Sequence, residues 1–304
     1  MAGFLRAARL AKSKEKKEMS SFSISTQSIE MLALGCFDGL HLGHAQLLKR
    51  LNPTNSALLV IDKFQNDRLT PKEALQNLCE FELIFVNFER IKDLSGGEFL
   101  ANLRQKFTNL HTLVVGEDFR FGKNRAWTAA DIEKISDYKA IIVRDYEFKG
   151  ISVHSKKIKE CLQNADLECA NALLGRAYAV CGTLIKGQGL GGEKLVPTLN
   201  LDTKNYFLPK NGVWACLCEV QNQLFKGVCF LGLRSTDGKF SVEAHILDEN
   251  FGAKNAPNLE KNAKIKLIFR KFLRQNQKFE DLSALKTQIL KDCDNARKCL
   301  QEAL

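Results

Sequence analysis

Residues 34–44 read Leu34-Gly-Cys-Phe-Asp-Gly-Leu-His-Leu-Gly-His44 and separate an apolar run from a helix-like pattern. The apolar run that ends at Leu34 is typical of a buried strand, and the apolar residues over 45–51 recur at helical spacing. The glycines of the stretch let its backbone turn sharply and approach a ligand closely. A helix that begins after such a turn presents free N–H groups to an anion. The stretch therefore predicts a strand–helix junction that receives a phosphate.

Two histidines, His41 and His44, lie about one helical turn apart in this junction. Their side chains could donate hydrogen bonds to the charge that builds on an α-phosphate under nucleophilic attack. For either histidine alone, the alternative is a side chain that only caps the helix. The occurrence of both histidines with the glycines and Asp38 favours phosphate binding.

The composition fits a globular protein of two domains, with 304 residues, 45% of them hydrophobic and 26% charged. No apolar run has the length of a membrane span. The 10 cysteines are scattered through apolar positions, with no CxxC pair and no secretory signal. We therefore expect reduced core cysteines in a cytoplasmic protein and no zinc site.

The formal net charge is +10, and the first 20 residues contribute six basic side chains against two acidic ones. This segment could be an amphipathic membrane or targeting helix, a disordered extension, or sequence upstream of a start at Met19. We predict a disordered basic extension over residues 1–24. The remaining positive charge suits phosphorylated ligands. Weak RNA binding is the alternative, but no RNA-binding module is recognisable, so we expect neither a nucleic-acid nor a membrane partner.

Short β-rich runs alternate with helical patterns between residues 29 and 144. This alternation predicts a Rossmann-like α/β domain over residues 25–174, with a parallel sheet and helices on both faces. Ligands of such sheets bind beyond the carboxyl ends of the strands, where the 34–44 stretch lies. The predicted strands are Met31–Gly35, Ala57–Ile61, Leu83–Val86, Thr112–Val115 and Ala140–Arg144.

The pattern changes after Gly175, where glycines cluster and strand-like runs follow one another without helices. A last apolar stripe at helical spacing follows Ser283. Residues 175–304 are therefore predicted to form a small antiparallel β-barrel with a closing helix. The predicted strands are Val213–Val220, Leu224–Leu231, Phe240–Leu247 and Ile265–Phe269.

A second candidate binding segment is Val115-Gly-Glu-Asp-Phe-Arg-Phe-Gly-Lys-Asn-Arg125, directly after a predicted strand. Its basic side chains and two phenylalanines could contact phosphates and stack on a flat ring. The alternative is a solvated turn.

The segments GCFDGLHLGHAQLL (35–48) and GEDFRFGKNRAW (116–127) resemble the two signature segments of the bifunctional prokaryotic FAD synthetase family (riboflavin kinase/FMN adenylyltransferase). The resemblance continues in order through LLGRAY (173–178), VPTLN (196–200), LPKNGV (208–213) and VEAHILD (242–248). It covers about residues 29 to 300, and the order of the motifs makes it specific.

The resemblance implies that the N-terminal half transfers AMP from ATP to FMN and releases pyrophosphate. His41 and His44 would be its catalytic residues. The resemblance assigns nucleotide or flavin binding in this half to Gly35, Phe37, Asp38, Gly39, Asp118, Phe119, Arg125, Ser155 and Lys159.

The resemblance also implies that the C-terminal half transfers the γ-phosphate of ATP to riboflavin. Glu243 would be the catalytic base, and Thr198 and Asn200 would bind Mg²⁺. The implied nucleotide- or flavin-binding residues of this half are Gly187, Gly191 and Arg297. ATP is then a co-substrate, riboflavin, FMN and FAD are the other ligands, and neither a tightly bound prosthetic group nor an oligomer is implied.

Two segments depart from the family pattern. Residues 61–67 replace the usual Phe-x-Pro-His-Pro, and residues 154–159 replace Ser-Ser-Thr-x-Ile-Arg with His-Ser-Lys-Lys-Ile-Lys. Ser155 keeps the hydroxyl, whereas Lys159 cannot reproduce the bidentate contacts of arginine. Two alternatives to the bifunctional enzyme therefore stay open: a chain that retains one activity, and a non-catalytic flavin- or nucleotide-binding regulator.

Overall fold

The structure is a computed structural model that describes residues 28–63, 67–186, 196–234, 237–248, 251, 259 and 262–301. The predicted basic extension over residues 1–24 lies outside the described residues, as do Gly187 and Gly191. Within the described part of the chain, no helix is both long and apolar enough to cross a membrane.

Five parallel strands form the sheet of the N-terminal half, and their order in space is β3-β2-β1-β4-β5. The strands are β1 (Met31–Gly35), β2 (Ser56–Asp62), β3 (Glu82–Asn87), β4 (Thr112–Gly116) and β5 (Lys139–Val143). The helices of this half are α1 (Leu42–Leu48), α2 (Lys72–Leu75), α3 (Gly96–Lys106) and α4 (Ile132–Ile135).

Both faces of this sheet are covered, which explains why its central strands are apolar throughout. Leu32 and Leu34 of β1 pack with Phe99 of α3 on one face. Ala33, between them, belongs to the cluster on the opposite face, with Leu47 of α1. Successive side chains of a strand point to opposite faces, so a buried residue at every position requires helices on both sides. The predicted α/β architecture is confirmed.

Helices α5 (Ser155–Gln163) and α6 (Leu167–Leu174) connect the two halves. The side chain of Asp166 accepts a hydrogen bond from the Cys169 backbone N–H at 3.0 Å and so caps α6. Gly175 ends the helix in the left-handed conformation, with φ of 73°.

Six antiparallel strands close into the barrel of the C-terminal half, in the order β6-β7-β10-β9-β8-β11. The strands are β6 (Ala179–Ile185), β7 (Leu199–Asp202), β8 (Gly212–Val220), β9 (Gln223–Leu233), β10 (Phe240–Ile246) and β11 (Lys264–Arg274). Helix α7 (Leu282–Cys299) packs Cys293 and Ala296 against Val213 and Leu217 of β8. The predicted barrel with a closing helix is confirmed, and β11 is longer than the predicted strand.

The two halves share buried surface. Leu69 and Val153 of the N-terminal half join α5, α6 and the barrel residue Trp214 in one apolar cluster. The backbone of Arg68 also bonds to the barrel half, accepting from the Phe207 N–H at 2.7 Å and donating to the Asn205 carbonyl at 2.9 Å. Packing therefore continues across the predicted boundary between residues 174 and 175, and the division into 25–174 and 175–304 stays a prediction.

Candidate active sites

An open cavity of about 660 Å³ lies beyond the carboxyl ends of β1 and β4. This is the edge at which open parallel sheets bind ligands. Eight of the residues predicted for the N-terminal half line it: Gly35, Phe37, His41, His44, Asp118, Phe119, Arg125 and Ser155. The fold thus brings the 34–44 stretch and the 115–125 segment to one cavity, as their positions after neighbouring strands predict.

The two histidines stack on each other, with ring centroids 3.7 Å apart and an interplanar angle of 19°. Helix α1 begins at Leu42, three residues earlier than its apolar spacing indicates, so His41 is its N-cap. The His41 Nδ1 accepts a hydrogen bond from the His44 backbone N–H at 3.4 Å. The capping alternative therefore applies to His41, but it uses only one ring nitrogen. With Nδ1 accepting, the proton of neutral His41 lies on Nε2, which is left as a donor.

Burial keeps both histidines neutral. It lowers the pKa of His41 to about 3, and the charges of His154 and Arg176 act in the same direction. Burial, followed by the neighbouring His41, holds the pKa of His44 well below its usual range. The pair can therefore donate hydrogen bonds to phosphate oxygens at neutral pH, but it does not supply positive charge there.

We expect this burial to make stability pH-dependent. Between pH 6.5 and about pH 3 the unfolded chain protonates His41 and the folded chain does not, so acidification destabilises the fold. From about pH 7.5 to about pH 5, the wild type should lose roughly 2 kcal/mol more unfolding free energy than His41→Asn, which lacks this group. Urea denaturation at the two pH values measures the difference. Parallel losses in both proteins would refute the prediction.

The turn before His41 has an unusual backbone. Phe37, Gly39 and Leu40 have positive φ values of 48°, 87° and 42°. Side chains disfavour this region, so the turn needs support from outside. Arg176 supplies it, because its Nη2 donates to the Gly39 carbonyl at 2.6 Å and its Nη1 to the Leu40 carbonyl at 3.3 Å. Arg176 thus holds the turn that places His41 in the cavity.

Replacing Arg176 by methionine should lower kcat for FMN adenylylation, the reaction that the resemblance implies for this half, about tenfold, since hydrogen bonds from a charged donor contribute about 1.5–3 kcal/mol each. Arg176→Lys should lose less, because it keeps the charge and one donor. Kinetics of FAD formation from FMN measure the effect, and riboflavin phosphorylation by the same sample reports on folding. An equal loss of both activities would assign Arg176 to the stability of the whole chain.

Asp38, Gly39 and Lys159 do not line this cavity. The Asp38 carboxylate is 3% exposed; it accepts a hydrogen bond from the Leu69 N–H at 2.7 Å and lies 2.9 Å from the Lys159 ammonium. The Ser155 hydroxyl donates to the Asp38 carbonyl at 2.8 Å. Asp38 and Lys159 therefore hold the turn against α5, where both line a smaller cavity of about 530 Å³ that shares Cys36 and Ser155 with this one.

The cavity carries both cations and aromatic rings. The rings of Phe119 and Phe121 stack at 5.7 Å, and Phe88 also lines the cavity. Such a surface fits a flat heterocycle that bears phosphates. From the altered 61–67 segment, Ile61 and Lys63 line the cavity, and residues 64–66 lie outside the described residues. The basic side chains that line it are Lys63, Lys92, Arg120, Arg125 and Arg144.

In the barrel, strand register brings together two residues predicted for phosphoryl transfer. Glu243 of β10 is the direct cross-strand partner of Asn200 of β7. The Glu243 Oε1 accepts a hydrogen bond from the Ser241 hydroxyl at 2.9 Å and lies 3.6 Å from the Arg234 guanidinium. The carboxylate is fixed on the outer face of β10, whereas Val242 and Ala244 point into the barrel core.

Thr198 directly precedes β7. The Nδ1 of His245, two residues after Glu243 on the same face of β10, donates to the Pro197 carbonyl at 2.7 Å. This contact ties the Pro197–Thr198 segment to the strand that carries Glu243. The Thr198 hydroxyl and the Asn200 amide offer oxygen donors of the kind that Mg²⁺ binds, so these residues fit the ion.

Arg297 lies on α7, where it forms an ion pair of 3.0 Å with Asp294, and its side chain is 48% exposed. Arg176, Arg234 and His245 were not among the predicted site residues. Arg176 lies in the LLGRAY motif and His245 in VEAHILD, so the motif order marked both regions without assigning these side chains a role.

Comparison with known proteins finds a family match in each half of the chain. The family model described as riboflavin kinase matches residues 174–300, and that described as FAD synthetase matches residues 68–157. The bifunctional riboflavin kinase/FMN adenylyltransferase of Bacillus subtilis is 30% identical over 299 residues, covering 89% of this chain and 92% of the relative. The protein of the same name from Pseudomonas fluorescens is 28% identical, covering 87% and 91%.

The chain belongs to the bifunctional riboflavin kinase/FMN adenylyltransferase family. It carries both a riboflavin kinase domain and an FAD synthetase domain, as the motif order predicts. The fold is also that of a solved Streptococcus pneumoniae structure titled as a macrolide-efflux protein, with a TM-score of 0.74 and 23% identity, over 90% of this chain and 96% of that one. At this identity the likeness concerns the fold alone.

Proposed function

We propose that this family member makes FMN at the barrel site and FAD at the cavity of the parallel sheet, with separate residues for each reaction. One observation carries the proposal: the His41–His44 pair in its cavity and the Glu243–Asn200 pair on the barrel occur in one chain. Riboflavin and ATP would enter the first reaction, and FMN and ATP the second. Both reactions act on small molecules, as the names of the bacterial relatives indicate. We place the enzyme in the cytoplasm.

In adenylyl transfer, a phosphate oxygen of FMN attacks the α-phosphorus of ATP, and the bond from that phosphorus to the pyrophosphate oxygen breaks. The nucleophile is already an anion, so the reaction needs no protein base. The protein instead aligns two anions and compensates the charge that develops on the α-phosphate. His41 Nε2 donates to that phosphate, and the basic side chains of the cavity offset the repulsion between the substrates. Arg176 and Asp38 fix the turn behind His41.

In phosphoryl transfer, the riboflavin 5′-hydroxyl attacks the γ-phosphorus of ATP and ADP leaves. A hydroxyl is a poor nucleophile, so Glu243 accepts its proton. Ser241 and Arg234 hold the carboxylate in place. Thr198 and Asn200 would hold Mg²⁺, which when bound screens the negative charge of the ATP phosphates. His245 keeps the Thr198 segment next to Glu243 through its contact with Pro197.

One assay tests the whole proposal. The purified full-length protein is incubated with riboflavin, ATP and Mg²⁺, and the flavins are separated by chromatography. The expected result is FMN that appears first and FAD that follows, with pyrophosphate formed in proportion to FAD. FMN without FAD would mean that the chain has lost FMN adenylylation, and the altered segments at 61–67 and 154–159 would account for the loss. Flavin binding without either product would support the regulator alternative.

A further inference from the structure

Two cysteines at the junction between the halves are in unusually close contact. Cys161 of α5 and Cys169 of α6 have their Sγ atoms 2.7 Å apart. Two thiols that are not bonded normally keep a larger separation, and a disulfide bond measures about 2.05 Å. Closing the gap therefore needs a movement of less than about 1 Å, which side-chain rotation can supply.

We propose that Cys161 and Cys169 form a reversible modification site, at which a small-molecule disulfide converts the two thiols into an intramolecular disulfide joining α5 to α6. Exposure supports this assignment, because Cys169 is only partly buried whereas Cys161 is 5% exposed. A comparable pair, Cys216 and Cys218, is buried inside the barrel with its Sγ atoms 3.8 Å apart. That pair lies on one strand and is not accessible to a reagent.

The oxidation proceeds by two exchanges. The thiolate of Cys169 attacks one sulfur of the small disulfide, and the first small thiol leaves with the proton that Cys169 gave up. The Cys161 thiol then loses its proton and attacks the Cys169 sulfur, and the second small thiol leaves. Two protein thiols are oxidised and one small disulfide is reduced to two thiols. Burial, then the contact with Cys169, raises the pKa of Cys161 to about 12, which makes Cys161 the second rather than the first attacker.

A metal site is the competing interpretation of this cluster. Asp166 completes a group of three side chains whose ligand atoms lie within 4.8 Å of one another. The Asp166 carboxylate, however, already caps α6 through the Cys169 N–H at 3.0 Å. A structural zinc site normally has four ligands, whereas this cluster offers three side chains, one of which already caps a helix. The close sulfur contact therefore favours the disulfide.

The bond would affect the adenylylation half through stability rather than chemistry. Helix α5 carries Ser155 and Lys159, which hold Asp38. Helix α6 leads into Arg176, which holds Gly39 and Leu40. Because the sulfurs already touch, oxidation fixes these helices in the arrangement that supports the turn. We expect unchanged activity and a thermal unfolding midpoint about 5 °C higher in the oxidised protein.

The experiment uses the full chain, treated with glutathione disulfide or with reduced glutathione, quenched in acid, alkylated and digested with trypsin without reduction. Both cysteines fall in one tryptic peptide, residues 160–176, and the control pair falls in another, residues 211–226. The expected result is a 160–176 peptide lighter by two hydrogen atoms and not alkylated, while peptide 211–226 stays a dithiol. Cys169→Ser should abolish the shift in unfolding midpoint, and Cys216→Ser should keep it.

Three outcomes would overturn the proposal. The first is glutathione retained on Cys169 with no internal disulfide, and the second is equal oxidation of both peptides. The third is protection of residues 160–176 from alkylation by Zn²⁺ at one ion per chain, which would assign the cluster to a metal. If Cys169→Ser fails to fold, the peptide masses of the wild type still decide.

Discussion

His41→Asn should lower kcat for FAD formation from FMN about a hundred- to a thousandfold, the usual cost of one preorganised donor to a developing oxyanion. Asparagine is among the best N-cap residues, so its side-chain oxygen can take over the hydrogen bond from the His44 N–H. What it cannot replace is the Nε2 donor on the far side of the ring. The variant therefore separates the capping role of His41 from its catalytic role.

The division of the effect between kcat and KM is part of this prediction. A donor that acts mainly in the transition state affects kcat, and the KM for ATP should change little. Riboflavin phosphorylation by the same sample should be unaffected, because it takes place on the barrel. Steady-state rates of both reactions measure the effect. A variant that forms FAD at the wild-type rate would restrict His41 to capping α1, and a variant that loses both activities would refute the assignment to separate sites.

The elements around this site were predictable because their signals are local. An apolar run, three glycines and helical spacing stand next to one another within 31–51, so the strand, turn and helix follow without knowledge of the rest of the chain. The barrel strands β6 and β7 are different. β7 has only four residues and β6 has a glycine in its interior, so their partners rather than their own pattern make them strands.

Side-chain roles were less predictable because they depend on distant contacts. Asp38 could face either side of its turn, and the Leu69 N–H, 31 positions along the chain, turns its carboxylate away from the cavity. Arg176 reaches the Gly39 carbonyl across 137 positions. The Glu243–Asn200 pairing likewise arises from the register of two strands. Motif order identified the regions that meet, whereas the orientation of each side chain is a property of the folded chain.

The second large effect is expected at the barrel site, where the register of β7 and β10 places Glu243 opposite Asn200. Glu243→Gln should lower kcat for riboflavin phosphorylation about a hundred- to ten thousandfold, the contribution typical of a positioned general base. Glutamine keeps the length of the side chain and an oxygen that can accept from the Ser241 hydroxyl, but it cannot take the proton of the 5′-hydroxyl. FAD formation from supplied FMN should be unchanged.

Two variants separate the base from its surroundings. Ser241→Ala removes the hydrogen bond at 2.9 Å and leaves the carboxylate, so its kcat should fall far less than that of Glu243→Gln. Raising the pH should not restore Glu243→Gln, because no carboxylate is left to ionise. Product chromatography with riboflavin, and separately with FMN, measures both reactions in each variant. If Glu243→Gln phosphorylates riboflavin as fast as Ser241→Ala, the proton leaves by another route, and Glu243 serves only to position Asn200 and the Thr198 segment.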